Sequence, residues 1–214
     1  MGAVAVGRVR AAELDAVTLD AHGTLVRLAD PVPALQSALA ERGVERTPEV
    51  VLAGFRTEAA HYAPRAGDGR DEQSLQRLQE ECAGIFLAAI GAQLDPAEFA
   101  PAYVGALRFE VLPGVPESLA RLRALGLELA VVANWDLSLR RLLDEVGPAP
   151  HFTVVVHAAG KPAPDGILRA LAELQAAPAR TLHIGDDEAD REAAAAAGVR
   201  FAATPVADAV AAIR

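Results

Sequence analysis

The sequence predicts an α/β fold in which a Rossmann-like, doubly wound parallel sheet carries an inserted all-helical cap domain. Short apolar segments rich in β-branched residues alternate with amphipathic helical segments, as in a parallel sheet wrapped by helices. One entirely helical block, from Pro31 to about Phe109, interrupts this alternation after the first strand. We therefore expect an α/β core of residues 1–27 and 112–214 and a helical cap of residues 28–111.

Five apolar segments are the predicted strands of the core, and the last is expected at an edge of the sheet. They are Leu14–Asp20, Leu127–Ala133, Phe152–Val156, Leu182–Ile184 and Phe201–Ala203. Helices are predicted between them, and glycines close two of these helices. The predicted helices are Leu119–Leu125, Leu137–Val146, Asp165–Leu174 and the alanine-rich run before Gly198.

The inserted block has the apolar spacing of amphipathic helices. Leu35 and Leu39, followed by Gly43, indicate the first helix of the block. Thr47 and Asp95 each precede a proline, which is typical of the N-terminus of a helix. Between them, apolar residues at spacings of three and four indicate one longer helix. These residues are Leu75, Leu78, Cys82, Ile85, Phe86 and Ala89.

Composition limits the classes of partner. The formal net charge of -9 argues against general binding of nucleic acid, because backbone phosphates attract basic surfaces. No apolar run has the length of a membrane span, and the one cysteine, Cys82, cannot form an internal disulfide. We expect a cytoplasmic protein that binds neither nucleic acid nor membranes. The sequence leaves its oligomeric state open.

Three predicted strands end in residues that can take part in chemistry. These residues are Asp20, Ala133 with Asn134, and Asp186 with Asp190. The only lysine of the chain, Lys161, lies in the loop after the third strand. The carboxyl ends of parallel strands form the edge where such sheets bind ligands. Carboxylates and an ammonium group at this edge predict a site for Mg²⁺ and an anionic substrate.

Four segments at these strand ends resemble, in order, the four motifs of the haloacid dehalogenase (HAD) superfamily. They are Leu19–Leu25 (LDAHGTL), Val131–Asp136 (VVANWD), Gly160–Pro162 (GKP) and His183–Asp190 (HIGDDEAD). The helical insertion after the first motif is most similar to the capped, phosphatase-like branch. The resemblance implies Mg²⁺-dependent hydrolysis of a small phosphorylated metabolite through an aspartyl-phosphate.

The resemblance also implies a role for each matching residue. Asp20 would be the nucleophile and a metal ligand, and the backbone carbonyl of His22 would be a further ligand. Asp186 would bind Mg²⁺ directly, whereas Asp190 would hold a metal-bound water. Lys161 would neutralise Asp20 and the phosphoryl group.

Two positions depart from the family pattern, and both affect catalysis. His22 replaces the carboxylate that normally acts as general acid and base, a role worth roughly 10²- to 10⁴-fold in rate. His22 either supplies such a proton or only preserves the turn. Ala133 replaces a Ser or Thr hydroxyl, and losing one such donor costs on the order of 10²- to 10³-fold. The backbone at Ala133 and the amide of Asn134 are the remaining candidates for phosphate binding. We therefore expect a weak or specialised phosphatase.

Two other hypotheses stay open. The chain is alternatively a catalytically impaired protein that binds a phosphorylated ligand or has a regulatory role. A 2-haloacid dehalogenase would explain His22, because a halide leaves without a proton, but it would not need Asp186 and Asp190. Among the remaining residues, we expect His183 to be a strand-packing residue.

Overall fold

The computed structural model describes residues 9–214, so residues 1–8 of the predicted core lie outside the described residues. The chain divides into two compact units. One unit contains the described residues up to Arg27 together with Glu110–Arg214, and the other is Leu28–Phe109. The first has a parallel sheet with surrounding helices, which confirms the predicted α/β fold class. The second is helical apart from its two terminal residues, and its role as a cap stays a prediction.

The described residues contain a five-stranded parallel sheet and a separate pair of short strands. In chain order, the strands are β1 (Ala16–Leu19), β2 (Val26–Leu28), β3 (Phe109–Val111), β4 (Glu128–Val132), β5 (Val154–Val156), β6 (Thr181–Gly185) and β7 (Arg200–Ala203). The large sheet has the order β5-β4-β1-β6-β7, and β2 pairs with β3. All four residues of β1 are buried, as expected for a central strand covered on both faces.

The register of the central strands brings the predicted site residues to one edge. Leu19, the last residue of β1, pairs with Val131 of β4 and with Ile184 of β6. Because all three strands are parallel, the residues that follow them lie at the same end of the sheet. Asp20 and Asp186 are therefore neighbours, although 166 positions separate them in the sequence.

The helices within residues 9–214 follow the predicted pattern, with one addition. They are α1 (Val32–Ala40), α2 (Pro48–Tyr62), α3 (Glu72–Ala89), α4 (Pro96–Ala106), α5 (Val115–Ala124), α6 (Leu139–Val146), α7 (Asp165–Leu174), α8 (Glu188–Ala197) and α9 (Val206–Ala211). The sequence pattern predicts neither α9 nor the strands β2 and β3. Helix α9 has only six residues, and β2 and β3 lack the run of apolar, β-branched residues that reveals the equally short β5. None of the helices in this part of the chain is both long and apolar enough to cross a membrane.

The helical unit packs around an aromatic cluster of its own. Phe86 of α3 contacts Phe99 and Tyr103 of α4, with a ring-centroid distance of 4.9 Å to Tyr103. The Tyr103 hydroxyl donates to Glu58 Oε2 at 2.7 Å, so the buried Glu58 carboxylate has a partner. Burial raises the pKa of Tyr103 above its ordinary value, which keeps this donor protonated. The unit thus has its own core.

In the α/β unit, close packing positions the loop that precedes α7. Gly166, in the first turn of α7, lies against Ala159, two residues before Lys161. A Cβ atom at position 166 would lie 2.6 Å from the Ala159 Cβ and 2.7 Å from the Ala159 carbonyl oxygen. The absence of a side chain at Gly166 therefore allows this loop to approach the helix.

We expect Gly166→Ala to lower the free energy of unfolding by about 1–3 kcal/mol, because the added methyl group must displace the Ala159 backbone. Urea unfolding measures this change. The matched control is Gly105→Ala in α4, where an added Cβ meets nothing within 4 Å. The control should gain up to about 1 kcal/mol from helix propensity. Equal stabilisation by both substitutions would contradict the close contact.

Candidate active site

Three carboxylates meet at the carboxyl edge of the sheet. Asp20 follows β1, Asp186 follows β6, and Asp190 lies in the first turn of α8. One oxygen from each lies within 4.8 Å of the others. Asp20 and Asp190 are buried, whereas Asp186 is exposed to solvent. The structure therefore brings together the three acidic residues that the sequence analysis selected.

The Lys161 ammonium lies between two of these carboxylates. Its Nζ donates to Asp20 Oδ1 at 2.5 Å and to Asp190 Oδ1 at 2.5 Å, and its side chain is only 4% exposed. Burial opposes the charge, but the two carboxylates outweigh burial and raise the pKa of Lys161 above its ordinary value. Lys161 is therefore a permanent cation of the site.

The pKa values of the three carboxylates are not all shifted in the same direction. Burial raises the pKa of Asp20 to about 7, and the negative charge of Asp190 adds to this effect, although Lys161 opposes it. Burial also acts on Asp190, but the His183 hydrogen bond and the Lys161 charge hold its pKa below the ordinary value. Burial and the charges of Asp190 and Asp187 raise the pKa of Asp186. Two of the three carboxylates thus share the Lys161 ammonium group, and negative charge is in excess.

This donor set fits a divalent cation with a preference for oxygen. Mg²⁺ binds through a few carboxylate oxygens together with waters and substrate oxygens. The loop after Asp20 passes close to Asp186, since a Cβ atom at Gly23 would overlap the Asp186 carboxyl group. Gly23 also has a φ of +77°, which glycine adopts without strain. The residues present can therefore hold Mg²⁺ between Asp20 and Asp186.

Both oxygens of Asp190 are already engaged by the protein. Oδ1 accepts from Lys161 and, at 3.1 Å, from His183 Nε2, while Oδ2 accepts from the Asp186 backbone N–H at 3.1 Å. Gly185 permits this arrangement, because a Cβ atom there would overlap the Asp190 carboxyl group. Asp190 therefore links Lys161 to the backbone that carries Asp186.

His183 is buried within strand β6, as predicted, and it is also a polar partner of the site. Its ring is fully buried, with Nε2 on Asp190 and Nδ1 2.9 Å from Thr18 Oγ1. Burial lowers the pKa of His183, so the ring is neutral. Sequence reasoning missed both Thr18 and His183. The available signal was a polar residue in each of two apolar strands, and the two are paired in register.

Asn134, in the segment Val131–Asp136, stabilises the loop that carries Lys161. Asn134 Nδ2 donates to the Lys161 carbonyl at 2.9 Å, and Asn134 Oδ1 accepts from the Lys161 backbone N–H at 2.9 Å. The Ala133 N–H donates to the Val156 carbonyl at 3.0 Å and thus belongs to the sheet. Phosphate binding by Ala133 and Asn134 stays a prediction, whereas anchoring of Lys161 by Asn134 is observed.

His22 lies beside the acidic residues with an exposed side chain. The nearby His22 works against the factors that raise the pKa of the Asp186 carboxyl. The backbone of the His22 turn is fixed, since the Gly23 N–H donates to the Val26 carbonyl at 2.8 Å. This geometry is compatible with both predicted roles of His22, proton transfer and turn formation.

Known proteins are similar to this chain in sequence and in fold. A family model described as haloacid dehalogenase-like hydrolase matches residues 14–198. The human haloacid dehalogenase-like hydrolase domain-containing protein 3 is 30% identical over 186 residues, which cover 80% of this chain and 73% of that protein. The N-acetylmuramic acid 6-phosphate phosphatase of Pseudomonas aeruginosa is 32% identical over 168 residues, covering 68% of this chain and 72% of the phosphatase.

A solved structure shares the architecture as well. The L-2-haloacid dehalogenase from Xanthobacter autotrophicus superposes with a TM-score of 0.62 at 25% identity, over 88% of this chain and 76% of that chain. The family match contains Asp20, Lys161 and the Asp186–Asp190 segment, which the structure places in one site. The chain therefore belongs to the haloacid dehalogenase-like hydrolases.

Proposed function

We propose that this chain is a Mg²⁺-dependent phosphatase that hydrolyses a small phosphorylated metabolite through an aspartyl-phosphate on Asp20. The buried Lys161 ammonium, shared by Asp20 and Asp190 beside the exposed Asp186, is the observation that carries this proposal. The similarity to a protein named N-acetylmuramic acid 6-phosphate phosphatase supports it. The unit Leu28–Phe109 is then the cap that selects the substrate.

The first half of the reaction transfers the phosphoryl group to the protein. A carboxylate oxygen of Asp20 attacks phosphorus, the bond from phosphorus to the leaving oxygen breaks, and the leaving oxygen takes a proton. Lys161 favours the ionised form of Asp20 against the effect of burial and offsets charge on the phosphoryl oxygens. Asp20, Asp186 and the His22 carbonyl would hold Mg²⁺, with Asp190 contributing indirectly, and the bound ion would supply further charge neutralisation. His22 is the nearest candidate for the proton donor.

The second half restores the nucleophile. Water attacks the phosphorus of the aspartyl-phosphate, inorganic phosphate leaves, and Asp20 becomes a free carboxylate again. A carboxylate at position 22 would activate this water, and His22 performs that task only as a neutral imidazole. The missing hydroxyl at Ala133 leaves the phosphoryl oxygens with one donor fewer. Slow turnover follows from these two positions.

We expect Asp20→Asn to reduce phosphate release from acetyl phosphate or p-nitrophenyl phosphate by at least about 10³-fold, because an amide is not a nucleophile. A colorimetric phosphate assay measures this loss. The matched control is Asp144→Asn, since Asp144 is exposed on α6 and its ion pair with Arg140 is 4.0 Å long. Equal rates for wild type and Asp20→Asn in the presence of Mg²⁺ would disprove the proposal.

Metal removal separates the phosphatase from the dehalogenase hypothesis. The similarity to a haloacid dehalogenase structure and the lack of a carboxylate at position 22 favour the dehalogenase as a second candidate. We expect EDTA to stop phosphate release and excess Mg²⁺ to restore it, because Asp20, Asp186 and Asp190 lie close together and Lys161 pairs with only two of them. Metal-independent release of chloride from 2-chloropropionate, without phosphate release, would instead identify a dehalogenase.

We expect His22→Asp combined with Ala133→Ser to raise kcat/KM by about 10²-fold or more, because the pair restores an acid–base carboxylate and a hydroxyl donor. Steady-state kinetics on a panel of phosphorylated metabolites measures this gain. A large gain from a baseline of zero would identify a catalytically silent protein. No gain from a measurable baseline would show that these positions do not limit turnover.

A further inference from the structure

We propose that His183, oriented by Thr18, is a positioning residue that fixes the Asp190 carboxylate and thereby sets the affinity of the site for Mg²⁺. The inference rests on the proposed function, since it concerns the same metal site. It gives a positioning role to two buried strand residues that neither bind substrate nor ligate metal. Thr18 and His183 have no solvent exposure.

Asp190 needs a rigid donor because its other side-chain partner is shared. Lys161 divides its ammonium between Asp190 and Asp20. A lysine side chain is also long and flexible, so it does not fix the rotation of a carboxylate by itself. The His183 ring, in contrast, is held on the central part of β6 and packs against Phe201 at a ring-centroid distance of 6.3 Å. His183 is therefore the donor that sets the plane of the Asp190 carboxylate.

The hydrogen bonds define the tautomer of His183. An ionised carboxylate only accepts hydrogen bonds, so Nε2 carries the ring proton and donates to Asp190. Nδ1 of the neutral ring is then an acceptor, and the Thr18 hydroxyl donates to it. Thr18 lies opposite His183 in the β1–β6 register, and its branched side chain has few rotamers. Thr18 thus holds the ring in the orientation that Asp190 requires.

The orientation of the Asp190 carboxylate affects the proposed metal site through two hydrogen bonds. Through Oδ1, it fixes the Lys161 ammonium that pairs with Asp20. Through Oδ2, it fixes the backbone N–H of Asp186. A rotation of the Asp190 carboxylate would disturb both proposed metal-binding carboxylates. Outer partners of metal ligands typically affect metal affinity or activity by about 10- to 100-fold.

We therefore expect His183→Leu to weaken Mg²⁺ binding by about 10- to 100-fold, because leucine fills the space but cannot donate to Asp190. The increase of Tm with Mg²⁺ concentration, measured on the full chain without substrate, reports this affinity. His183→Gln should recover most of the affinity, since its amide N–H can replace the Nε2 donor. In phosphate assays, His183→Leu should lower kcat at limiting Mg²⁺ while leaving substrate KM nearly unchanged.

Two further variants separate positioning from general packing. Phe201→Leu loosens the packing of the His183 ring without removing a polar group, and it should weaken Mg²⁺ binding less than His183→Leu. Thr18→Val removes the hydroxyl with little change in shape, and it should weaken Mg²⁺ binding less than His183→Leu. In ¹⁵N NMR of the metal-free protein, the ring of His183 should be the neutral Nε2–H tautomer. If His183→Leu does not fold, the Mg²⁺ affinity of Thr18→Val still tests the inference.

The outcomes distinguish this inference from the proposed function. Wild-type Mg²⁺ affinity in both His183→Leu and Thr18→Val would overturn the inference, as would equal losses in His183→Gln and His183→Leu. An Nδ1–H tautomer would also overturn it. In another outcome, Mg²⁺ stabilises the wild-type protein and the variants lose Mg²⁺ affinity as expected, but no substrate releases phosphate. That outcome would support the inference and reject the phosphatase.

Discussion

The buried ammonium of Lys161 is the interaction on which the rest of the site depends. It contacts Asp20 and Asp190 at 2.5 Å each, so two carboxylates that would repel one another are held together away from solvent. An unpaired buried charge is strongly unfavourable, and the pairing with Lys161 offsets part of this penalty for both carboxylates. The third carboxylate, Asp186, lies at the exposed side. The resulting excess of negative charge gives the site its suitability for a divalent cation.

The sheet and three close packing contacts hold this charge arrangement in place. Parallel register brings the ends of β1, β4 and β6 to one edge. Gly23 and Gly185 leave room for the carboxyl groups of Asp186 and Asp190, and Gly166 leaves room for the loop before Lys161. Asn134 binds both backbone groups of Lys161. The position of each charge is therefore fixed by backbone contacts that a larger side chain would disrupt.

The charge framework is complete, whereas the groups that move protons and bind phosphate differ from the family pattern. Lys161 and the three aspartates serve binding and neutralisation. His22 and Ala133 occupy the positions that affect leaving-group protonation and phosphoryl contact. In our proposal, this division produces a site that binds Mg²⁺ and phosphate more readily than it turns over. The His183 and Thr18 pair strengthens the framework, because it secures Asp190 from inside the sheet.

The sequence by itself determined the α/β fold class, the succession of the core strands along the chain and the choice of Asp20, Lys161, Asp186 and Asp190. These follow from local properties: apolar runs that end in polar residues, and ordered motifs that each occupy a few positions. The tertiary structure decided which polar groups meet. Thr18 and His183 are 165 residues apart, and only strand pairing makes them neighbours. Likewise, only the folded loop shows that the amide of Asn134 binds both backbone groups of Lys161. Hydrogen bonds depend on distance and direction in space, and a linear pattern contains neither.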